Sequence, residues 1–342
     1  MGSGEASPSG RKVFDWLFKR LPSPLRIALL ETPAGFQPNS ALVAGRIETF
    51  LKERLSGHAL DITIVPARRR GSPFSPDDPA YADMVLRADS TFLGPGSPTY
   101  AVRHLLDTIL WDATRYRFST GGTLVLASAA VLALGRYTLP VYEIYKVGAE
   151  LAWTPGLDLF GPAGGPPLVF IPHFSNQEGG AELDTTHCYM GAVRFAQLQA
   201  MLPSDAVIVG VDEHTSLICD LAEDTGVVMG QGSITLIRGG ERTVFPSGTT
   251  FSLREWGAFD WSAIASDVSA SLVERAAELE QLQPVPPSVP SVPVEVLALV
   301  EQREAARQDR DWATADGLRA EIARRGHQVD DTPTGPRITA LV

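Results

Sequence analysis

The stretch from Thr123 to Gly135 (TLVLASAAVLALG) narrows most sharply what this chain can become. It is 13 residues long and apolar apart from Thr123 and Ser128. That is too short for a bilayer span, which takes about 20 apolar residues. It therefore reads as a buried strand, Thr123 to Ala127, running straight into an apolar helix around Val131 to Leu134. A strand of this kind needs strands beside it and helices over both faces.

The rest of the chain supplies them. Arg26 to Glu31 and Ala59 to Val65 have strand composition, Met84 to Phe92 is a third run of that kind, and Leu168 to Ile171 and Ala206 to Val211 are two more. Helical spacing fills the intervals at Ser40 to Leu55, Pro98 to Trp111 and Ala192 to Leu202. Strands alternating with helices predict an α/β fold with a largely parallel sheet flanked by helices. Gly226 to Leu253, broken by Gly-Gln-Gly, Arg-Gly-Gly and Pro-Ser-Gly, predicts an antiparallel β-meander edge, and Trp261 to Leu282 a closing helix.

Length and composition set the organisation. A chain of 342 residues exceeds what one core usually supports. Residues 1–24 read as an N-terminal tail, disordered over Met1 to Lys12, with a short helix at Val13 to Arg20 docked on the domain. Residues 25–282 form the α/β body. Residues 283–293 carry five prolines and read as an extended linker. Residues 294–342 read as a small helical module, helical over Val294 to Arg325 with Trp312, Ala315, Leu318 and Ile322 on one face, and with a turn at Asp331 to Gly335.

The formal net charge of −11 argues against a surface built to neutralise phosphates, so any RNA contact would have to be local. Cys188 and Cys219 are the two cysteines, too few for a disulfide framework or a zinc site, and they fit a reducing cytoplasm. The residues call for no cofactor, no metal and no membrane anchor. A homo-oligomer is compatible with the sequence.

Three places can carry chemistry. Ser128 sits among alanines where the most apolar strand meets a helix, the position at which a nucleophile is held out at a sharp turn, although a buried serine among alanines is more often a core residue. Gly94-Pro95-Gly96-Ser97 ends the preceding strand, and the glycines let backbone amides approach a substrate; the Gly96 and Ala129 amides are the candidate oxyanion donors. Ile171-Pro172-His173-Phe174-Ser175-Asn176 delivers a histidine, the usual general base for serine, though His187 and His214 also lie near strand ends. Glu143 and Glu213 are the acids able to orient such a base; each could equally belong to a surface ion pair.

These pieces in order, Gly-x-Gly-Ser, small-Ser-Ala-small, Pro-His-Phe-x-Asn and Gly-Val-Asp-Glu-x-Thr, resemble the peptidase E and cyanophycinase family of serine hydrolases over roughly Arg26 to Leu253. The resemblance implies a class I glutamine amidotransferase-like fold. It implies Ser128 as nucleophile and His173 as base. Glu143 stands at the offset where peptidase E places its acid and is slightly preferred, while Glu213 matches the cyanophycinase glutamate. Ser97, Asn176 and Arg194 are the candidate substrate contacts.

The expected activity is hydrolysis of an amide bond in a small peptide or amino-acid conjugate. The alternatives are a non-catalytic binding protein on the same fold or a tRNA-associated protein. Two departures stand out: Ala130 replaces the glycine that follows Ser-Ala in the family, and Asp184-Thr185-Thr186 lacks the arginine with which peptidase E helps hold an acidic residue.

A second resemblance covers the tail. Arg303 to Arg307, Asp311-Trp312-Ala313-Thr314-Ala315-Asp316 and Asp331-Thr332-Pro333-Thr334-Gly335 look like the C-terminal segment of cysteinyl-tRNA synthetases. No His-Ile-Gly-His or Lys-Met-Ser-Lys-Ser signature occurs, so the chain is not expected to be a synthetase. Residues 294–342 hold seven Arg and nine Asp plus Glu, a balance that disfavours tRNA.

Overall fold

A computed structural model of the chain describes residues 1–282, 294–332 and 335–340. It divides into two compact units, Met1–Glu280 and Gln281–Val342. The Gln283 to Pro293 linker and the Pro333-Thr334 centre of the expected turn lie outside the described residues.

In the first unit, α1 (Pro8–Phe18) precedes β1 (Leu25–Leu30), α2 (Ser40–Arg54), β2 (Leu60–Val65), α3 (Pro79–Leu86) and β3 (Ser90–Leu93). Then come α4 (Pro98–Leu105), α5 (Ile109–Ser119), β4 (Thr123–Leu126) and α6 (Ala129–Leu134). β1 to β4 form a parallel sheet in the order β2-β1-β3-β4, with Leu29 opposite both Ile64 and Phe92. β1 and β3 are buried almost throughout, whereas edge strand β2 alternates, as central and edge positions dictate.

The chain continues through β5 (Tyr137–Thr138), α7 (Val141–Tyr145), β6 (Thr154–Pro155), β7 (Leu168–Ile171), a single turn α8 (Thr186–Tyr189), α9 (Gly191–Ala200) and β8 (Val207–Val211). β9 (Thr215–Asp220), β10 (Thr225–Gly230), β11 (Ser233–Arg238), β12 (Glu241–Pro246) and β13 (Thr250–Ser252) follow, then α10 (Ala270–Leu282). β7 and β8 pair in parallel within a sheet ordered β12-β11-β8-β7, and β13-β10-β9 is an antiparallel edge sheet. The expected α/β architecture with its meander is therefore present.

Several boundaries differ from the sequence reading, each for a local reason. Met84 to Leu86 belong to α3, not to a strand, because Asp78 caps that helix by accepting from the Ala80 N–H and Pro79 starts it. The helix expected over Pro98 to Trp111 is two helices: Asp107 takes a left-handed conformation and Thr108 caps α5 through the Trp111 N–H. Trp261 to Ala263 form only a 3-10 turn ahead of α10.

The expected disorder of Met1 to Lys12 is corrected as well. The Met1 amino group donates to Leu126 O at 2.8 Å and the Gly2 N–H to Thr215 O at 2.8 Å. They satisfy polar groups on the otherwise unpaired edges of β4 and β9. Helix α1 then docks Val13, Phe14 and Phe18 into the core, as expected for a domain-bound helix.

The second unit is not purely helical. α11 (Val294–Gln308) and α12 (Trp312–Arg324) are followed by an antiparallel hairpin, β14 (His327–Thr332) and β15 (Gly335–Ala340). Arg310 adopts positive φ between the helices and Asp311 caps α12 through the Thr314 N–H. Val296, Val300, Ile322 and Val329 make its core; Ala315 is buried, but Trp312 is 56% exposed.

Candidate active site

Ser128 follows Ala127 between β4 and α6 and immediately precedes the helix, with φ 53° and ψ −112°. A non-glycine residue in such a conformation carries about 1–3 kcal/mol of strain, which persists only where the surroundings enforce it. Here strand β4, paired with β3, fixes one side, and the Val131 N–H, donating to Ser128 O at 2.9 Å, starts the helix on the other. The methyl of Ala130 is accommodated in the main core cluster with the residue 1% exposed.

Ser128 Oγ lies 2.9 Å from His173 Nε2. His173 Nδ1 lies 3.1 Å from Glu213 Oε1, which also accepts from Asn176 Nδ2 at 3.0 Å. A carboxylate only accepts, so Nδ1 carries the hydrogen and Nε2 is left free to accept from the serine. The loop bearing His173 is tied to β8 by the Phe174 N–H donating to Val211 O at 3.1 Å, and the Ser175 hydroxyl accepts from the Glu213 N–H at 3.2 Å. Gly210 lets the Phe174 ring lie against β8: a Cβ there would stand 2.5 Å from it.

His173 itself has φ 52°, and α8 is a left-handed turn in which His187, Cys188 and Tyr189 all have positive φ. The His187 N–H donates to Phe174 O at 2.9 Å and the Cys188 N–H to His173 O at 3.1 Å. The strained turn thus clasps the histidine loop. This clustering of sparsely populated backbone around one imidazole is the pattern of a functional site.

Ser128, Ala129, Gly96 and His173 border a cavity of about 370 Å³. Gly96 must be glycine: its φ is 157° and an added Cβ would stand 1.9 Å from Pro33 O. Neither its N–H nor that of Ala129, the first of α6, meets an acceptor among the described residues. Both amides are therefore available to a developing oxyanion.

Other candidates are engaged elsewhere. Glu143 Oε1 accepts from Thr99 Oγ1 at 2.6 Å, and its Oε2 is buried without a partner. It is Glu213, not Glu143, that the structure brings to His173. Ser97 caps α4, its Oγ accepting from the Tyr100 N–H at 3.2 Å. Asn176 is fully buried and serves Glu213. Arg194 donates to Met190 O and Tyr189 O, bracing the left-handed turn, and does not border the cavity.

The sequence reading missed the cavity wall. Tyr142, Tyr145 and Lys146 project from α7 and its end, and Glu178 and Tyr189 from the opposite loop. The one signal available was two tyrosines three residues apart in Val141 to Lys146. Tyr189 donates to Glu178 Oε2 at 2.8 Å; burial first and the Glu178 carboxylate second hold its phenol protonated well above the usual range. Cys188 also faces the cavity, but burial pushes its thiol up to about 12, so it is no thiolate nucleophile. A larger apolar cavity of about 720 Å³, bordered by Phe14, Leu124, Ile218 and Trp256, includes neither Ser128 nor His173.

Comparison with known proteins separates the two units. Residues 289–336 match the family model described as the cysteinyl-tRNA ligase anticodon binding domain. The cysteine–tRNA ligase of Chlamydia trachomatis serovar A is 51% identical over 57 residues, 17% of this chain and 12% of that protein. The Methanosarcina mazei cysteine–tRNA ligase is 51% identical over 47 residues, 14% of this chain and 10% of that protein. The chain thus spans about a tenth of the length of these curated relatives.

A solved peptidase from an acI-B1 Actinobacterium superposes with a TM-score of 0.58 at 20% identity, covering 74% of this chain and 94% of that one. Among the described residues no helix is long and apolar enough to cross a membrane. The body therefore has the fold of that peptidase, and the tail is similar to the anticodon binding domain of cysteine–tRNA ligases.

Proposed function

We propose that the body is a serine hydrolase of amide bonds in a small peptide or amino-acid conjugate. The observation that carries this is the hydrogen-bonded series Ser128 Oγ, His173, Glu213, at 2.9 and 3.1 Å, opening on a cavity. Ser128 Oγ attacks the carbonyl carbon while His173 Nε2 takes its proton. The carbonyl oxygen, now negative, is held by the Gly96 and Ala129 N–H groups. The C–N bond breaks as His173 returns the proton to the leaving amine. Water, deprotonated by the same imidazole, then releases the acid and restores Ser128.

Glu213 orients the ring and offsets its charge in this scheme. The cavity is of a size to take a small conjugate rather than a folded chain. The two unpaired cysteines fit action in the cytoplasm. The test is labelling by a fluorophosphonate: the wild-type chain is modified at Ser128, and a folded sample in which that serine stays unmodified overturns the reading.

For the tail, the match to an anticodon binding domain favours a second role, contact with tRNA. Its acidic balance opposes this. A mobility or anisotropy shift of tRNA with the full chain at low salt, lost on raising salt, supports that role; its absence at low salt removes it.

A further inference from the structure

Beside the Gly96 loop that borders the Ser128 cavity, three further segments of the body converge on one face: Pro33 to Phe36 after β1, Ala67 to Phe74 after β2, and the outer side of α4. The Tyr100 hydroxyl donates to Arg68 O at 2.9 Å, and the Arg70 N–H to His104 Nδ1 at 3.2 Å. Phe36 packs on Tyr100 at 5.4 Å and Tyr100 on His104 at 4.3 Å between ring centroids. The Arg68 and Arg69 N–H groups both donate to Phe74 O, at 2.8 and 3.2 Å, and the Arg68 guanidinium lies 4.4 Å from the Phe74 ring centroid. The face is thus held by bonds on every side.

Its charge is uneven. Arg68 pairs with the buried Glu31 at 2.7 Å and Arg70 with Asp77 at 3.2 Å. Arg69 and Arg103 are exposed, and among the described residues neither meets a carboxylate. Their field reaches the rings between them: His104 is held below the usual imidazole range by burial first and then by Arg103, Arg69 and Arg70. Phe36 and Phe74 are 47% and 40% exposed on the two loops that pack against α4. In a chain of net charge −11, the face thus joins two guanidinium groups without a carboxylate among the described residues to two exposed rings.

Guanidinium groups take phosphate through paired N–H donors, and aromatic rings and guanidinium planes both stack on nucleobases. The face lies beyond the C-terminal ends of β1 and β2, the side of a parallel sheet where ligands collect. With strands about 4.8 Å apart, the β2 end stands roughly 14 Å from that of β4. We propose that this face binds a nucleoside phosphate, its phosphate between Arg69 and Arg103 and its base against Phe36 or Phe74. The moiety can be a free nucleotide or the terminal nucleotide of an RNA strand. The proposal stands apart from the hydrolytic reading of Ser128.

The test is titration of the full chain, by calorimetry at low and high salt, with AMP, with a five-nucleotide RNA, with pyrophosphate and with a glutamate hexapeptide. Saturable binding of AMP or of the RNA, weakened by salt, is expected. Binding of AMP assigns the free nucleotide as the source, whereas binding of the RNA alone assigns a strand end. Arg69→Ala with Arg103→Ala should weaken it at least tenfold, while Arg238→Ala leaves it unchanged. Phe36→Ala with Phe74→Ala should lower nucleotide affinity to that of pyrophosphate. The proposal is overturned if neither AMP nor RNA binds, if pyrophosphate or the acidic peptide binds wild type as tightly as AMP, or if a double arginine variant with an unchanged melting curve keeps its affinity.

Discussion

Glu213 reaches His173 across the end of the second sheet: its Oε1 lies 3.1 Å from the ring Nδ1, and the same oxygen is held by the Asn176 amide at 3.0 Å. The carboxylate is thereby held from two sides, and it in turn holds the ring.

Replacing that oxygen by an amide should undo the arrangement. Glu213→Gln can donate to Nδ1, which favours the wrong tautomer, so the rate of phosphonate labelling at Ser128 should fall on the order of 10³- to 10⁴-fold with little change in fold. Glu143→Gln, in a residue bonded to Thr99, should leave it within about tenfold. Time courses of labelling on both variants check this; equal losses would exclude Glu213 as the orienting group.

Gly96→Ala should be severe in a different way. The new methyl would meet the Pro33 carbonyl, and the backbone sits at φ 157°. Stability should drop by roughly 2 kcal/mol or more, in the range of strained-backbone substitutions, and labelling should slow even in the folded fraction. Denaturant titration together with labelling separates the two effects.

Thr99→Val removes the one partner that the Glu143 Oε1 atom has among the described residues, while the other oxygen is buried without a partner among them. A loss of about 1–3 kcal/mol is expected for stranding a buried polar group. Thr99→Ser, which keeps the hydroxyl, should recover most of it. Urea unfolding of the two variants gives the comparison.

Acid should weaken the fold before the carboxylates titrate. His187 is held below the usual imidazole range, by burial first, and His104 likewise, so both are neutral in the folded chain at pH values where the unfolded chain already binds protons. The stability present above about pH 6.5 is then lost as pH falls through that value toward the lower folded-state values. The stability contributed by the lowered acids Asp15, Asp89 and Asp267 persists to about pH 4 and is lost only below it. Chemical denaturation at pH 7.5 and 5.5 should show the loss, and His187→Gln should reduce it.

The strand before Ser128 was legible because apolar length and small neighbours are local properties; its full burial was not borne out, since β4 is an edge strand in which only Val125 is buried. Ser128 and His173 were found from strand ends, but their pairing and the choice of Glu213 over Glu143 depend on which loops the sheets bring together. Helix breaks at Asp107 and Arg310 were missed because each is a non-glycine residue at positive φ, which carries no compositional mark. The ordered N-terminus was missed for a related reason: Met1 and Gly2 are held by backbone bonds to two strand edges, and the Met1 side chain packs on a core cluster that only the fold assembles. Tyr189 entered the cavity wall through a left-handed turn that no periodicity announces.

That turn couples two properties. The backbone that presents Tyr189 also grips the carbonyls of His173 and Phe174, so swapping the tyrosine to admit a bulkier ligand would tug on the imidazole. Redesign of selectivity is better begun at Tyr142 on α7, since the Tyr145 ring packs on Tyr189 at 5.1 Å and is tied to the same turn.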